Sequence, residues 1–343
     1  MSAGTRRSPL SAMLACIALA AGCASDPLPS ATDTPALPAG LAVAHDLRGA
    51  YRAALCARDD ISADECERVL YRFAGEVPAK RPATADPSRF RLLFVPGFLA
   101  SCFPHIHSFA DVAAAAEQRG FAAEVLAVGG RNNVTANARI IARHVERLPD
   151  DGRRIIFIGH SKGAVDALEA IATRPELASR VAAVLTVGGA LQGSAVADRL
   201  YGTYHSTLAL IPFPTCERGE GDPVEDMQPA TRQRWWTKHG AQLTVPIYSI
   251  VGVPQLDRVS PTLLPSFAGL SSVSRYNDGM VLARDQVTPA GSLLGIVNAD
   301  HLTAAIPYPD NVPAAFLFSA APFPRPQMVL AAIDVIAADR PVP

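Results

Sequence analysis

A chain of 343 residues, 49% hydrophobic and 18% charged, is long and apolar enough to bury a full core, as one large domain with insertions or as two domains. Its formal net charge of −1 leaves no electrostatic case for binding nucleic acid or for a basic membrane-binding face. No internal repeat is visible, and much of the proline lies near the N-terminus and beyond residue 305.

Arg6 and Arg7 open the chain with positive charge, and "LSAMLACIALAAGC" follows. Its apolar run of about a dozen residues is too short for a membrane span, which needs roughly 20. Residues 1–22 therefore read as a signal peptide. The end of this segment, Ala20-Ala21-Gly22-Cys23, resembles the lipobox of bacterial lipoproteins, which implies cleavage before Cys23 and acylation of that cysteine. Plain secretory cleavage near Ala21 or Ala24 and an uncleaved anchor are the alternatives. Ala24 and Ser25 do not include the Asp that favours inner-membrane retention in such lipoproteins, so an outer-membrane anchor facing the periplasm, or else secretion, is implied. Residues 23–44, which include "SDPLPSATDTPALPAG", have nothing to bury and read as a tether. Residues 45–343 are left for the folded domain.

On that reading Cys16 leaves with the signal and Cys23 would carry the lipid. Cys56, Cys66, Cys102 and Cys216 remain in an oxidising compartment, an even number that allows two disulfides. Nearness in sequence favours Cys56–Cys66 and leaves Cys102–Cys216; free buried thiols are the other reading. None has zinc-site spacing.

Along the domain, residues 45–75 have a helical pattern that fits the outside of the fold. "FRLLFV" (Phe90–Val95), ended by Pro96-Gly97, is a buried strand. "SFADVAAAAEQRG" is a helix closed by Gly120, "AAEVLAV" a strand, and "NARIIARHVERL" an amphipathic helix. "RIIFI" is a strand, followed by a helix with Val165, Leu168 and Ile171 on one side. "VAAVLTV" and "VPIYSIVG" complete the strands. Strands alternating with helices predict a mostly parallel sheet covered on both faces, with ligands at the carboxyl ends of the strands.

One serine stands out. Gly159-His160-Ser161-Lys162-Gly163 fits G-x-S-x-G between an apolar strand and a helix. A sharp strand-to-helix turn lifts such a hydroxyl above the sheet, and the glycines remove side chains that would collide. The helix N-terminus favours a developing oxyanion. A serine nucleophile needs a base, and the base needs a carboxylate, in the chain order Ser, acid, His. His205, His239 and His301 follow Ser161; His301, in "LLGIVNADHLTAA" after a last apolar run, is the base expected. Asp278, in an Asn-Asp-Gly turn, is the acid expected, with Asp257 and Asp285 as alternatives.

Phe94-Val95-Pro96-Gly97-Phe98, the Ser161 elbow, "VGGALQGSAVADRL", "NDGMV" and "DHL" are together similar, in order and spacing, to bacterial secreted lipases and esterases of the α/β-hydrolase superfamily. The resemblance implies an α/β-hydrolase fold with a cap or lid. It implies hydrolysis of carboxylic esters through Ser161, Asp278 and His301, with oxyanion-hole N–H groups from Phe98 and Lys162. It also implies no cofactor and an ester or lipid-like substrate. Pro96 replaces the His of the family's His-Gly turn, and Ala190-Leu191 replace its Pro-His. Thr303 stands where those lipases have a calcium-binding Asp, so no calcium is expected. Lys162 is unusual after the serine; a cation there would favour anionic acyl substrates unless it reaches solvent.

The connection over about 199–244 is too long for an ordinary loop and reads as a cap, with Trp235 and Trp236 facing the pocket or packing the cap onto the body. A Cys102–Cys216 disulfide would tie this cap to the loop beside the oxyanion hole. "AAFLFSAAPFPRP" frames the acyl pocket or is ordinary packing. His105-x-His107 lacks a third ligand, and no metal is expected. An envelope acyltransferase, a thioesterase or an amidase would share every motif, and a non-catalytic envelope lipoprotein would share the fold. Oligomeric state is not legible.

Overall fold

Among the residues described by the computed structural model (34–103, 107–206, 216, 218–307, 317–318 and 322–339), seven strands form one sheet. They are β1 (His45–Asp46), β2 (Phe90–Val95), β3 (Ala122–Val125), β4 (Arg154–His160), β5 (Val181–Val187), β6 (Ile247–Gly252) and β7 (Ser292–Val297). The order is β1-β7-β6-β5-β4-β2-β3, and every pairing is parallel. Residues 1–22, Cys23 and His105 lie outside the described residues, as do 314–316 and 319–321 of the segment 314–326. No described helix is long and apolar enough to cross a membrane.

The apolar runs are continuous because both faces of the sheet are covered. On β2, Leu92 and Phe94 point to one side while Leu93 and Val95 point to the other; on β4, Ile156 and Ile158 oppose Ile155 and Phe157. The first set packs under helices α1 (Arg48–Cys56), α2 (Ala63–Val69), α3 (Ala110–Gln118) and the C-terminal Arg325–Asp339. The second packs under α4 (Val134–Arg147) and α5 (Lys162–Thr173). Gly120, at φ 89°, ends α3 as expected, with its N–H donating to Glu117 O at 2.8 Å.

The 45–75 region is more integral than its reading as an outer layer implied. Tyr51 and Leu55 of α1 are fully buried. Tyr51 reaches Met328 O at 3.1 Å, and Gly295 of β7 leaves room for its ring, where a Cβ would come within 2.8 Å. The expected tether also shortens. Leu37, Leu41 and Val43 pack with Phe73, Val251 and Leu293, and Ala44 N donates to Gly291 O at 2.9 Å. The C-terminal helix Arg325–Asp339 was not anticipated. It is apolar on most sides, and its buried Asp334 is held by Arg119 and by Ala85 N, both at 2.9 Å.

β3 lies on one side of β2 and β4 on the other, so the winding reverses between β2 and β4. Such a switch point opens a crevice at the carboxyl ends of the two strands. The Pro96–Ser101 loop leaves one of those ends and Ser161 leaves the other. Beyond β5, α6 (Ala195–Ser206) and α7 (Pro229–His239) belong to the long connection that leads to β6. α8 (Leu264–Ser271) lies between β6 and β7, and Arg325–Asp339 is α9.

Both expected disulfides are present, Cys56–Cys66 and Cys102–Cys216, with sequence separations of 10 and 114. The second joins the loop after β2 to the connection after α6. Loop-closure entropy grows with the enclosed chain, so replacing Cys102 and Cys216 by Ala should lower unfolding free energy by about 5 kcal/mol, and replacing Cys56 and Cys66 by about 3 kcal/mol. Equilibrium denaturant titration of the two double variants checks this; equal losses would contradict it.

Candidate active site

β4 runs to His160 and α5 begins at Lys162, so Ser161 alone makes the turn between them. Its backbone is at φ 54°, ψ −124°, a strained region for a residue with a Cβ. The surroundings leave the turn no alternative. A Cβ on Gly159 would stand inside the Gly163–Ala164 backbone, and one on Gly163 would stand against the carbonyl oxygens of Val95 and Pro96. Ser161 N donates to Val187 O at 3.3 Å, which ties the turn to β5.

The loop after β7 carries His301 back over this turn. His301 Nε2 lies 2.8 Å from Ser161 Oγ, and Nδ1 lies 2.7 Å from Asp278 Oδ2. A carboxylate only accepts, so Nδ1 carries the proton and Nε2 presents its lone pair to the serine hydroxyl. Asp278 is fully buried, and its Oδ1 accepts from Met280 N at 2.9 Å and Val281 N at 2.7 Å. Gly279, at φ 92°, makes the tight turn that lets those two N–H groups fold back on the carboxylate. His301 N also donates to Asp278 O at 2.8 Å.

The alternatives lie elsewhere. Asp257 is exposed on a short 3-10 turn. Asp285 is partly buried, which raises its carboxyl to about 6, and its peptide oxygen accepts from Gln192 N at 2.9 Å. His239 stacks on Trp235 with ring centroids 5.3 Å apart. The side chain of His205 lies outside the described residues.

Phe98 follows Gly97, where a Cβ would come within 3.0 Å of Ser161 Cβ. The next residue, Leu99, sits at φ 60° with its N–H donating to Gly130 O at 2.8 Å. This bend carries the Phe98 peptide past the serine. Lys162 is the first residue of α5, so its N–H has no acceptor within the helix. Its side chain departs from both expectations, since it neither reaches solvent nor stands as a free cation. It is 1% exposed and pairs with Asp166, one helical turn on, at 2.7 and 3.0 Å.

Asp166 also accepts from Asn137 Nδ2 at 2.7 Å, and its burial raises its carboxyl to about 6 against the pull of Lys162. The 218–244 connection closes over this pair. Trp235 Nε1 donates to Glu169 Oε2 of α5, Trp236 Nε1 to Leu191 O at 2.7 Å, and Arg232 is buried with its charge facing Glu169, Asp226 and Asp166. Both tryptophans therefore pin the connection to the body through their N–H groups.

Three features of the site were not read from the sequence. His160 is buried with Nε2 2.8 Å from His301 O. Asp300 bridges Ser260 N at 2.5 Å and Thr303 N at 2.7 Å, which shapes the histidine loop. Gly188, just past β5, and Gly252, the last residue of β6, lie beneath Asp278 and His301; a Cβ on Gly188 would lie 3.2 Å from Asp278 Oδ2, and one on Gly252 3.1 Å from Asp278 Cβ. The "x" of G-x-S-x-G, the Asp of "DHL" and the glycines of "VGG" and "VPIYSIVG" carried these residues, but no pattern in the sequence assigned them a role. No group of three His, Cys, Asp or Glu that could hold a metal occurs among the described residues.

No family model matches the sequence, and no curated protein matches it. Among solved structures, the chain is similar to the metagenomic carboxyl esterase MGS0156, with 33% identity over 95% of this chain and 99% of that one and a TM-score of 0.81. It shares its fold with the mature form of Bacillus licheniformis lipase BlEst2, at 21% identity, 66% and 89% coverage and a TM-score of 0.51. It also shares it with lipase 1 from Pelosinus fermentans, at 10% identity, 74% and 99% coverage and a TM-score of 0.50.

Removing one member of a buried ion pair strands the other charge, while removing both need not destabilise. Lys162→Met should therefore lower unfolding free energy by about 3–5 kcal/mol, and adding Asp166→Leu should recover much of the loss. Denaturant titration of the two single variants and the double variant checks this; strictly additive losses would contradict it.

Proposed function

The chain belongs to the α/β-hydrolase family that includes the metagenomic carboxyl esterase, and from that premise we propose that it hydrolyses carboxylic esters with Ser161 as nucleophile, His301 as base and Asp278 as acid. The observation that carries the reading is the pair of hydrogen bonds from Ser161 through His301 to Asp278, at 2.8 and 2.7 Å, on a serine held at positive φ.

In the first half-reaction, Ser161 Oγ attacks the ester carbonyl carbon and its proton passes to His301 Nε2. The N–H groups of Phe98 and Lys162 receive the oxyanion; losing one such donor typically costs about 3–4 kcal/mol of barrier. The tetrahedral intermediate collapses, His301 gives its proton to the departing alkoxide oxygen, and an acyl-Ser161 ester remains. Water then attacks this ester by the same route in reverse roles, releasing the carboxylic acid and restoring the hydroxyl. Asp278 keeps the imidazole in the Nδ1–H tautomer and stabilises the imidazolium. No step calls for a cofactor.

Two disulfides fit an extracellular or secreted protein. Acylation of Cys23, with residues 24 to about 34 as the tether, would hold the enzyme at the cell envelope, and the 199–244 connection would serve as a cap over the crevice.

Ser161→Ala should lower kcat/KM on p-nitrophenyl esters by about a millionfold, and Asp278→Asn by about ten-thousandfold. A panel from acetyl to long-chain esters, with matched amides and thioesters, measures both losses and identifies the preferred bond. Full turnover by the Ser161 variant refutes the assignment, and amides or thioesters cleaved faster than esters refute the bond class.

A further inference from the structure

The residue before the nucleophile carries a side chain that the hydrolytic scheme leaves unused. His160 is 3% exposed, and its ring sits between Phe109 and His301, with centroids 6.3 and 4.8 Å away. Its Nε2 lies 2.8 Å from the peptide oxygen of His301. A carbonyl only accepts, so Nε2 carries the proton and Nδ1 is the bare nitrogen.

Nδ1 is buried with no hydrogen-bond partner and faces Gly97, where a Cβ would come within 3.2 Å. Protonation would place an N–H there with no acceptor among the described residues. Burial, with the neighbouring His301 second, accordingly lowers the pKa of His160 to about 3, and the ring is neutral at any working pH. The titratable group acting on it is His301, from the loop after β7; Phe109, just before α3, supplies the other face.

We propose that His160 is a positioning residue, whose grip on the His301 carbonyl sets the base within hydrogen-bond reach of Ser161. The proposal rests on the reading of Ser161, His301 and Asp278 as the catalytic set. Two of the restraints on His301 come from the acid turn, through its peptide N–H and its ring Nδ1. The restraint from His160 comes instead from the strand that ends at the nucleophile, so it couples base to serine directly. A displacement of about 1 Å in such a pair costs on the order of a hundredfold in rate. A neutral ring also adds no charge 4.8 Å from the imidazole that becomes imidazolium during acylation.

The test pairs His160→Phe, which keeps a ring but no donor, with His160→Gln, whose amide N–H can reach the same carbonyl. On a short-chain ester, the Phe variant should lose about 10- to 100-fold in kcat with KM changed by less than about twofold. The Gln variant should stay within about fivefold of wild type. A Phe variant with wild-type kcat, or a Gln variant that falls as far as Phe, overturns the role. Nitrogen-15 NMR of wild-type imidazoles gives a reading free of any folding defect in the variants. His160 should be neutral with its proton on Nε2 from about pH 8 to about pH 5, and a proton on Nδ1, or titration near the ordinary value of about 6.5, overturns the proposal. Wild-type protein that hydrolyses no ester overturns the functional reading and the positioning role together. Wild-type turnover with an unaffected Phe variant overturns the positioning role alone.

Discussion

One hydrogen bond, from the Ser161 hydroxyl to His301 Nε2, closes a loop of 140 residues, and much of the architecture around it serves to keep it short. A serine hydroxyl does not ionise near neutral pH, so it is useful as a nucleophile only with a base at that distance. The sheet does not supply this by adjacency. β4 and β7 are separated by β5 and β6, which at about 4.8 Å per strand places their ends roughly 14 Å apart. The histidine must therefore return across two strand ends on a loop. Those two ends are Gly188 and Gly252, whose missing side chains make the room that Asp278 and His301 occupy.

A second constraint acts from below. α5 begins at the serine and carries Lys162, Asp166 and Glu169 on turns that are buried, and the connection between β5 and β6 closes over them with Arg232, Trp235 and Trp236. Charges shut away from water hold their geometry only while every partner stays in place. The helix that begins just after Ser161 is thereby coupled to the connection. The Cys102–Cys216 bond couples the same connection to the loop that carries Phe98. The two sides of the crevice are thus fastened through one segment of chain.

Much of this was legible in the sequence because it is local. "FRLLFV" and "VAAVLTV" match β2 and β5 to the residue, since parallel strands buried on both faces must be unbroken apolar runs. Ser161, Asp278 and His301 could be proposed together from turn chemistry and chain order, and the structure brings the three within hydrogen-bond reach of one another. What escaped depends on long-range packing. β1 is two residues long, below any period. α9 is too uniformly apolar to show a helical stripe. The i, i+4 spacing of Lys162 and Asp166 was visible, but their burial was not, because it is imposed by residues some seventy positions later. His160 reads as an arbitrary residue of a motif until the His301 carbonyl is placed beside its ring.

Acyl transfer through Ser161 is the step on which the proposed reaction depends. The most direct measurement is rapid quenching of the enzyme with a slowly deacylating ester, followed by mass spectrometry of the peptide spanning 155–174. A single acyl mass increment on Ser161 is expected, forming before steady state and decaying as product accumulates. Steady turnover with no increment on that peptide, or with the acyl group on another residue, would contradict it.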